Sequence, residues 1–375
     1  MCDVGILTFH CADNFGAMLQ AYGLKTYLCG KGIEADIVPY EPPFMTGRHW
    51  WIPYVPIGGP KRIIRHGWNG WRRNLRLGMS FFESRRNIRR FRRKYLIRKG
   101  QRRLLFAGQL RKLSYHSYIV GSDQIWNPEI TLGLRKEYFG DFISVEKKKV
   151  IAYAASLGGA SLAPKYDGEF SELLKAVDEI SVRENVAIPY IRQFCGQDIY
   201  AVPDPVFLLR KEEWEKIERL PDKRGYIFVY MMEKNDALIK YVNDLAEKEG
   251  LLILKLKDAS DFNGENVCTD HIAGPAEYIG YIHKADYVVT NSFHGVAFSI
   301  IFQKDFVAFQ HSSVGARISN ILELCGLEDR LYQEDIKRES KIQVQDRTVN
   351  WDRVQECIEE NVKIADQYLM TGLKG

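Results

Sequence analysis

The sequence lacks the features that mark a membrane-spanning, secreted or disulfide-bonded protein. No apolar run approaches the ~18 residues that a membrane-spanning helix requires. The N-terminal MCDVGILTFH has no basic stretch before its apolar run, and we expect it to form a first strand and not a secretory signal. The seven cysteines are scattered without a C-x-x-C pair, which favours free thiols in a reducing cytoplasm over disulfides or a zinc site.

Motifs for several nucleotide and metal sites are missing as well. The chain has no GxGxxG followed by an acid, no GxxxxGK[ST] loop and no DxD-like pair after a strand. No group of His, Asp and Glu has the spacing of metal ligands. We therefore expect no nicotinamide, no P-loop nucleotide and no metal in the functional site.

The chain does contain a tandem alternation of short apolar runs and amphipathic stretches. VGILTF, KKVIAYAAS and EISV in the first half, and YIFVY, LLILKLK, DYVVT and DFVAF in the second, have the composition of buried strands. This pattern predicts an α/β fold with two doubly wound domains and mainly parallel sheets. We expect an N-terminal domain over 1–207, a C-terminal domain over 208–345 and a terminal helix over 346–375, with AVPDPVFLL as a linker.

Positive charge is concentrated in a basic, aromatic-rich insertion at about 45–112. The net charge of the chain is +5, yet the segment from Lys61 to Lys112 contains 19 Lys and Arg and a single acid. The rest of the chain therefore has an excess of 13 acidic residues. Four tryptophans flank or interleave with the basic run: Trp50, Trp51, Trp68 and Trp71.

Part of this insertion has the pattern of an amphipathic helix. RRNIRRFRRKYLIRKGQRR places Ile88, Phe91, Tyr95 and Leu96 at helical spacing among cations. A cationic helix with aromatic anchors suits an anionic membrane surface, and we expect residues 61–112 to contact one. A solvated face or an oligomer contact stays open, whereas nucleic acid is not expected because the rest of the chain is acidic.

His294 occupies the most informative strand end. In DYVVTNSFHGVAF a buried strand passes directly into a helix, and ligands of parallel sheets bind at the carboxyl ends of strands. The first helical turn favours an anion, and Gly295 lets a ligand approach the backbone closely. His294 could therefore hydrogen-bond a phosphate or act as a general acid; the alternative is a capping or core histidine.

Other strand ends also carry polar side chains. Arg183 follows EISV. Its planar guanidinium could bind a carboxylate or phosphate of a ligand, or it could form an internal salt bridge. Asp123 could accept a proton from a hydroxyl, or cap a helix. Asn14 to Gly16 could cradle a substrate or only start a helix, and Arg317 could contact an anion or lie on the surface.

Together these segments resemble the polysaccharide pyruvyltransferase family. The resemblance runs nearly end to end and is carried, in order, by GILTFHCADNFGAMLQAYGL, YIVGSDQIWNP, YAASLGG, ISVRE, VPDPVFLL, DYVVTNSFHGVAFSIIFQKDFVAF and RISNILELCGLEDR. It implies a GT-B-like fold of two facing Rossmann-like domains, with a donor-binding second domain and a terminal helix that crosses back to the first. It implies transfer of pyruvate from phosphoenolpyruvate to two hydroxyls of a sugar, giving a cyclic ketal and phosphate, with no cofactor besides this donor substrate.

The resemblance also implies which residues hold the donor. Relatives often carry Arg-Leu-His where this chain has Ser-Phe-His, so the histidine is kept and the arginine is replaced by Ser292. We expect Ser292, His294 and Gly295 to bind phosphoenolpyruvate, with His294 as proton donor or phosphate ligand. Arg183 or Arg317 would supply the missing cation.

The acceptor is expected on the first domain. Asp123 would accept a proton from a sugar hydroxyl, and further acceptor contacts are expected from Asn14, Gly16, Ser122, Gln124 and Trp126. The acceptor itself is expected to be a surface-polysaccharide precursor built on a lipid pyrophosphate, met by a cytoplasmic enzyme at the inner face of the membrane. The oligomeric state stays open.

Two other functions stay open at this point. A glycosyltransferase that uses a nucleotide sugar would have the same fold. A non-catalytic module that binds membrane or nucleic acid could be built around residues 61–112.

Overall fold

The computed structural model of the chain describes residues 3–46, 71–72, 75, 78–142, 148–256, 262, 264–311, 315–333 and 348–374. The chain forms two compact units. The first unit comprises Met1–Leu209 and Asn361–Gly375, and the second unit comprises Arg210–Glu360. Trp50, Trp51 and Trp68, together with residues 47–70 of the basic insertion, lie outside the described residues.

The first unit is built on a parallel sheet with the strand order β2-β1-β3-β4-β5-β6. Its strands are β1 (Val4–Leu7), β2 (Ala35–Ile37), β3 (Ser117–Asp123), β4 (Lys149–Ala155), β5 (Glu179–Val182) and β6 (Ile199–Ala201). All described pairings are parallel. The order reverses between β1 and β3, and ligands of such sheets bind at the strand ends next to this switch point.

Helices connect these strands. They are α1 (Phe15–Gly30), α2 (Pro43–Thr46), α3 (Met79–Phe91), α4 (Pro128–Thr131), α5 (Asp167–Leu174) and α6 (Ile188–Ile191). A π-helical turn, Arg92–Leu96, continues α3. Buried side chains from these helices and strands, among them Val120 and Phe170, pack into an apolar core.

The predicted linker AVPDPVFLL is instead part of the first unit. It starts at the end of β6 and continues into a buried 3₁₀-helix, Pro205–Leu208, which packs on α1. A Cβ added to Gly23 of α1 would lie 2.6 Å from the carbonyl oxygen of Pro205, so the contact requires a glycine. The prolines suggested a linker, but Pro is equally suited to the first turn of a short helix.

The apolar face of the basic helix is also buried. Ile88, Phe91 and Leu96 are at most 4% exposed. The ring centroid of Tyr22 in α1 lies 6.4 Å from that of Phe91 and 5.7 Å from that of Tyr95. The prediction that these side chains are lipid anchors is therefore wrong, because a helix that packs on its own domain has the same apolar spacing as one that lies on a membrane.

The second unit has a parallel sheet with the order β11-β10-β7-β8-β9. Its strands are β7 (Tyr226–Tyr230), β8 (Leu252–Leu256), β9 (Val267–Asp270), β10 (Tyr287–Thr290) and β11 (Asp305–Ala308). Its helices are α7 (Lys211–Glu215), α8 (Asp236–Glu249), α9 (Pro275–Lys284), α10 (Phe293–Ile301) and α11 (Gly315–Cys325). The predicted α/β class with mainly parallel sheets is confirmed, and the switch point of this sheet lies between β7 and β10.

The terminal helix α12 (Trp351–Lys374) begins in the second unit and ends in the first. Within the first unit, Tyr368 Oη donates to the carbonyl oxygen of Ala152 at 2.9 Å. Asp366 accepts from Tyr27 Oη at 2.7 Å and pairs with Lys31 Nζ at 2.8 Å. Burial opposes ionisation of Asp366, but these two hydrogen bonds, together with the positive charges of Lys31 and Lys374, outweigh it and lower the pKa of its carboxyl.

The contact between α1 and the 3₁₀-helix gives a test of the fold. We expect Gly23→Ala to lower the free energy of unfolding by about 1–3 kcal/mol, because the added methyl group overlaps the Pro205 carbonyl. Gly30→Ala at the end of the same helix is the matched control, since no atom lies within 4 Å of its added Cβ. It should be neutral or stabilise by up to ~1 kcal/mol. Urea denaturation of both variants measures this, and equal effects at the two positions would contradict the packing described.

Candidate functional site

The ends of β7 and β10 are joined by one amide side chain. Asn291 follows β10, and its Oδ1 accepts from the backbone N–H of Met232 at 2.7 Å. Its Nδ2 donates to the carbonyl oxygen of Glu233 at 2.7 Å. Asn291 itself is completely buried, and its two partners lie in the part-buried loop after β7. The loop after β7 and the turn before α10 are thereby fixed together at the switch point of the sheet.

The hydroxyl of Thr290 also holds the turn between β10 and α10 in place. Thr290 Oγ1 donates to the carbonyl oxygen of Tyr230 at 2.6 Å and accepts from the backbone N–H of Ser292 at 3.0 Å. A Cβ added to Gly295 would lie 2.4 Å from this oxygen. The glycine that was predicted to admit a ligand is therefore required by the packing of Thr290 against the first turn of α10.

His294 and Arg317 both lie close to the aromatic ring of Phe293. His294 is in the first turn of α10, and its ring centroid lies 5.2 Å from that of Phe293 in an edge-to-face arrangement. Arg317 of α11 places its guanidinium carbon 5.8 Å from the Phe293 centroid. Both side chains belong to residues that are 7% exposed. The structure thus brings together three of the predicted donor-binding residues, Ser292, His294 and Arg317, around the N-terminus of α10.

Two further groups of this unit were not predicted as site residues. His311 lies just past β11, and its Nδ1 is 3.5 Å from Glu233 Oε2 in the loop after β7. These side chains stand at the same edge of the sheet as Asn291. The available sequence signal was the polar stretch MMEKND that directly follows a buried strand.

Arg183 lies in the first unit and is held by internal partners. Its Nη2 is 3.0 Å from Asp204 Oδ2 and also donates to Ser122 Oγ. Burial disfavours the charged guanidinium, but the carboxylates of Asp204, Asp123 and Glu184 outweigh this and raise the pKa of Arg183. The internal salt bridge that was the alternative for Arg183 is present, and its partner is Asp204.

Asp123 and Gln124 are the predicted acceptor contacts that remain half-exposed after β3. Asp123 has a φ of 76°, in the left-handed region that Asp tolerates better than most residues, and its Oδ1 accepts from the backbone N–H of Gln124 at 2.9 Å. Gln124 Oε1 accepts from Asn127 Nδ2 at 2.6 Å. One carboxylate oxygen of Asp123 therefore accepts a hydrogen bond from the next residue, and the side chain remains accessible to solvent.

Two other acceptor predictions have structural roles instead. Trp126 is completely buried, donates from Nε1 to the carbonyl oxygen of Tyr138 at 3.0 Å and stacks on Phe139. Its indole belongs to the core, so the prediction that it contacts the acceptor is wrong. Ser122 is also completely buried, and its hydroxyl supports Arg183. The sequence could not separate these residues from Asp123 and Gln124, because all four share one polar turn.

The turn after β1 contains the remaining acceptor predictions. Asn14 caps α1, with its Oδ1 accepting from the backbone N–H of Ala17 at 3.3 Å. Gly16 is buried in the first turn of that helix. The helix-start interpretation therefore accounts for both residues within the unit.

His10 in the same turn is buried and neutral. Burial, and after it the positive charge of Arg92, lower the pKa of the imidazole to about 3, although a hydrogen bond with the Thr8 carbonyl opposes this. The Nε2 atom of His10 has no hydrogen-bond partner among the described residues. A histidine with this pKa does not serve as a general acid near neutral pH.

The described residues contain no cluster of three or more His, Cys, Asp and Glu side chains that could hold a metal ion. Within the same residues no helix is long and apolar enough to cross a membrane. The cysteines of the described ranges are free thiols, and Cys2 lies outside those ranges.

A family model described as polysaccharide pyruvyl transferase matches residues 14–313, which is most of the chain. No curated protein matches the sequence.

The fold is similar to several solved structures at low sequence identity. One is UDP-N-acetylglucosamine 2-epimerase from Rickettsia bellii, with 8% identity, a TM-score of 0.51, and coverage of 100% of this chain and 97% of that chain. Another is UDP-GlcNAc 2-epimerase from Neisseria meningitidis, with 10% identity, a TM-score of 0.51, and coverage of 99% and 100%. A third is the spinosyn forosaminyltransferase SpnP, with 11% identity, a TM-score of 0.51, and coverage of 100% of both chains. These likenesses concern the fold, and the predicted GT-B-like class is confirmed.

The depressed pKa of His10 predicts a pH dependence of stability. In the unfolded chain His10 binds a proton below about pH 6.5, whereas in the folded chain it does so only near pH 3. The contribution of His10 to the free energy of unfolding is therefore fully present above pH 6.5 and is lost as the pH falls below that value. Between pH 7 and 5 the loss should be about 2 kcal/mol. We expect His10→Gln to flatten the stability curve by that amount, measured by urea denaturation at each pH. Parallel curves for the two proteins would contradict a buried neutral His10.

Proposed function

Because the chain belongs to the polysaccharide pyruvyl transferase family, we propose that it moves the pyruvate group of phosphoenolpyruvate onto two hydroxyls of a sugar. The product is a cyclic pyruvate ketal on a surface-polysaccharide precursor, and inorganic phosphate is released. Phosphoenolpyruvate carries about three negative charges near neutral pH, so its site needs cations or helix N-termini. No cofactor besides this donor substrate is part of the proposal.

The observation that supports the donor site most strongly is that His294 and Arg317 both lie close to the ring of Phe293, at the N-terminus of α10. The free backbone N–H groups of the first turn favour an anion there. Arg317 offers a planar fork that suits a phosphate or a carboxylate. An imidazole and a guanidinium therefore both lie near Phe293 in the first turn of α10, at the edge of the sheet where α/β folds bind ligands.

The chemistry requires one proton donor and one proton acceptor. A proton adds to the methylene carbon of phosphoenolpyruvate, which leaves oxocarbenium character on the carbon that bears the phosphate oxygen. One sugar hydroxyl adds there and loses its proton, the bond to phosphate breaks, and the second hydroxyl closes the ketal as its proton passes to the departing phosphate. His294 would donate the first proton or bind the phosphate, and Asp123 would accept the hydroxyl proton.

Arg317 is our candidate for the cation that relatives supply at the position of Ser292. It lies in the same unit as His294, and its guanidinium carbon is 5.8 Å from the ring centroid of the neighbouring Phe293. Arg183, the other candidate, is neutralised by Asp204 within the first unit. We therefore assign Arg183 to positioning the turns that carry Ser122 and Asp123, and Arg317 to the donor.

The proposed acceptor is an oligosaccharide on a lipid pyrophosphate, met at the cytoplasmic face of a membrane. Its support is the cationic insertion and two exposed apolar side chains one turn apart on α3, Met79 at 73% and Phe82 at 53% exposure. These replace the buried residues Phe91 and Leu96 as the proposed lipid contacts.

Replacement of His294 tests the donor site. We expect His294→Ala to lower turnover with phosphoenolpyruvate by roughly 10²–10⁴-fold, the usual contribution of a general acid. Phosphate release in the presence of acceptor measures turnover, and the melting temperature reports folding. His271→Ala, at an exposed histidine of the same unit, is the matched control and should keep full activity. Near-normal turnover of folded His294→Ala would sink the assignment.

Membrane contact through α3 has its own test. We expect Met79→Ser together with Phe82→Ser to reduce co-sedimentation with phosphatidylglycerol vesicles by about tenfold, because two exposed apolar side chains are lost from the proposed contact. Val186→Ser, which removes an apolar side chain that is 50% exposed and lies outside residues 61–112, is the control and should bind normally. Equal binding by all three proteins would remove α3 from the membrane contact.

A further inference from the structure

A cavity of about 630 Å³ lies in the first unit, apart from the residues proposed for the donor. The turns after β1 and β2 contribute Cys11 and Glu41 to its lining. The rest of the lining comes chiefly from α3 and the residues that follow it, up to Arg103. The cavity therefore opens at the carboxyl ends of two parallel strands, next to the switch point between β1 and β3.

Positive charge dominates this cavity. Seven Lys and Arg side chains line it, whereas Glu41 is the single acid among its described lining residues. Glu41 pairs with both Arg92 and Arg103. Just outside the lining, Asp13 pairs with Arg85, and Asp36 pairs with Arg98 at 3.2 Å.

Three of the seven cations are not neutralised by these acids. Arg89, Arg93 and Lys99 have no carboxylate within ion-pair distance in the described ranges, and all three are exposed. The sequence contains no acid between Glu41 and Glu83, so the intervening insertion cannot supply one. Because Glu41 is shared by two arginines, the seven cations face three carboxylates, and a net positive charge of about four remains around the cavity.

This excess charge already disturbs its neighbours. Burial lowers the pKa of Arg85, and repulsion from Arg89 and Arg92 adds to the effect, while Asp13 opposes it. The Nε atom of Arg92 is buried without a hydrogen-bond acceptor in the described part of the chain. An anion in the cavity would relieve the repulsion and supply acceptors to these donors.

We propose that this cavity binds the diphosphate group of a sugar diphosphate. Arginine forks match phosphate oxygens in pairs, and a diphosphate presents several such oxygens in a row. The volume falls within the 300–1,000 Å³ typical of small-molecule sites, so it accommodates a diphosphate together with an attached sugar. The inference rests on the proposed function in one respect, since it places the diphosphate end of the acceptor in the first unit.

Paired variants of the full chain test the proposal. Arg89→Ala with Arg93→Ala removes two unneutralised arginines from the cavity wall. Arg86→Ala with Arg90→Ala removes two exposed arginines from the same helix that do not line the cavity. Titration calorimetry with inorganic pyrophosphate should give a dissociation constant at least ~10-fold higher for the first pair, and within about twofold of the unmodified protein for the control pair. Lys99→Ala, on a different segment, should weaken binding in the same direction.

Two further ligands identify the source of the diphosphate. Tighter binding of a farnesyl-diphosphate-linked N-acetylglucosamine than of UDP-N-acetylglucosamine supports the cavity assignment and a lipid-linked acceptor. Tighter binding of UDP-N-acetylglucosamine supports the cavity assignment with a nucleotide sugar as its ligand. That result would count against the proposed lipid-linked acceptor.

Other outcomes overturn the assignment. Absence of pyrophosphate binding to the unmodified protein would do so. Equal weakening in both variant pairs would show diffuse attraction to a basic surface in place of a site. Loss of phosphoenolpyruvate binding in the cavity pair alone would make the cavity a donor site. If phosphoenolpyruvate binding is unchanged while pyrophosphate binding falls, the cavity assignment stands independently of the donor site.

Discussion

The candidate donor site depends on the hydrogen bonds that join the ends of β7 and β10. Asn291 and Thr290 tie the turn before α10 to the backbone of the neighbouring strand and its loop. These groups are buried, so leaving any of them without a partner would cost the free energy of desolvating a polar group. The helix start is thereby held in one position, and His294 with it. A group that must protonate a carbon or grip a phosphate needs such preorganisation.

Charge balance divides the arginines of this chain into two kinds. Arg183 is buried, paired with Asp204 and hydrogen-bonded to Ser122, so its charge is satisfied within the fold. Arg89 and Arg93 line a cavity whose acids are already shared by other cations. The first kind orients strand ends, and the second offers charge to a ligand. The local sequence of an arginine does not separate the two, because its partner comes from elsewhere in the fold.

The sequence was sufficient where a pattern is local. Apolar runs predicted the buried strands, and the direct passage of a strand into a helix in DYVVTNSFHGVAF predicted that His294 lies at a helix start. It was insufficient where burial depends on tertiary packing. Trp126 and Asp123 share one turn, yet one indole enters the core and one carboxylate stays half-exposed. The apolar face of α3 and the two prolines after β6 each fit two environments, and only contacts with α1 distinguish them. Glu233 and His311 follow two different strands, so their spacing in the sequence does not predict that they are in contact.

Binding of phosphoenolpyruvate to the full chain tests the central claim most directly. A thermal-shift titration should show stabilisation by phosphoenolpyruvate, about 2.7 kcal/mol at a ligand concentration 100 times the dissociation constant. Arg317→Ala should diminish this stabilisation, whereas stabilisation by a nucleotide sugar bound in the cavity of the first unit should not change in that variant. Stabilisation by a nucleotide sugar with none by phosphoenolpyruvate would contradict the account, and would show that the GT-B-like fold serves a different transfer in this protein.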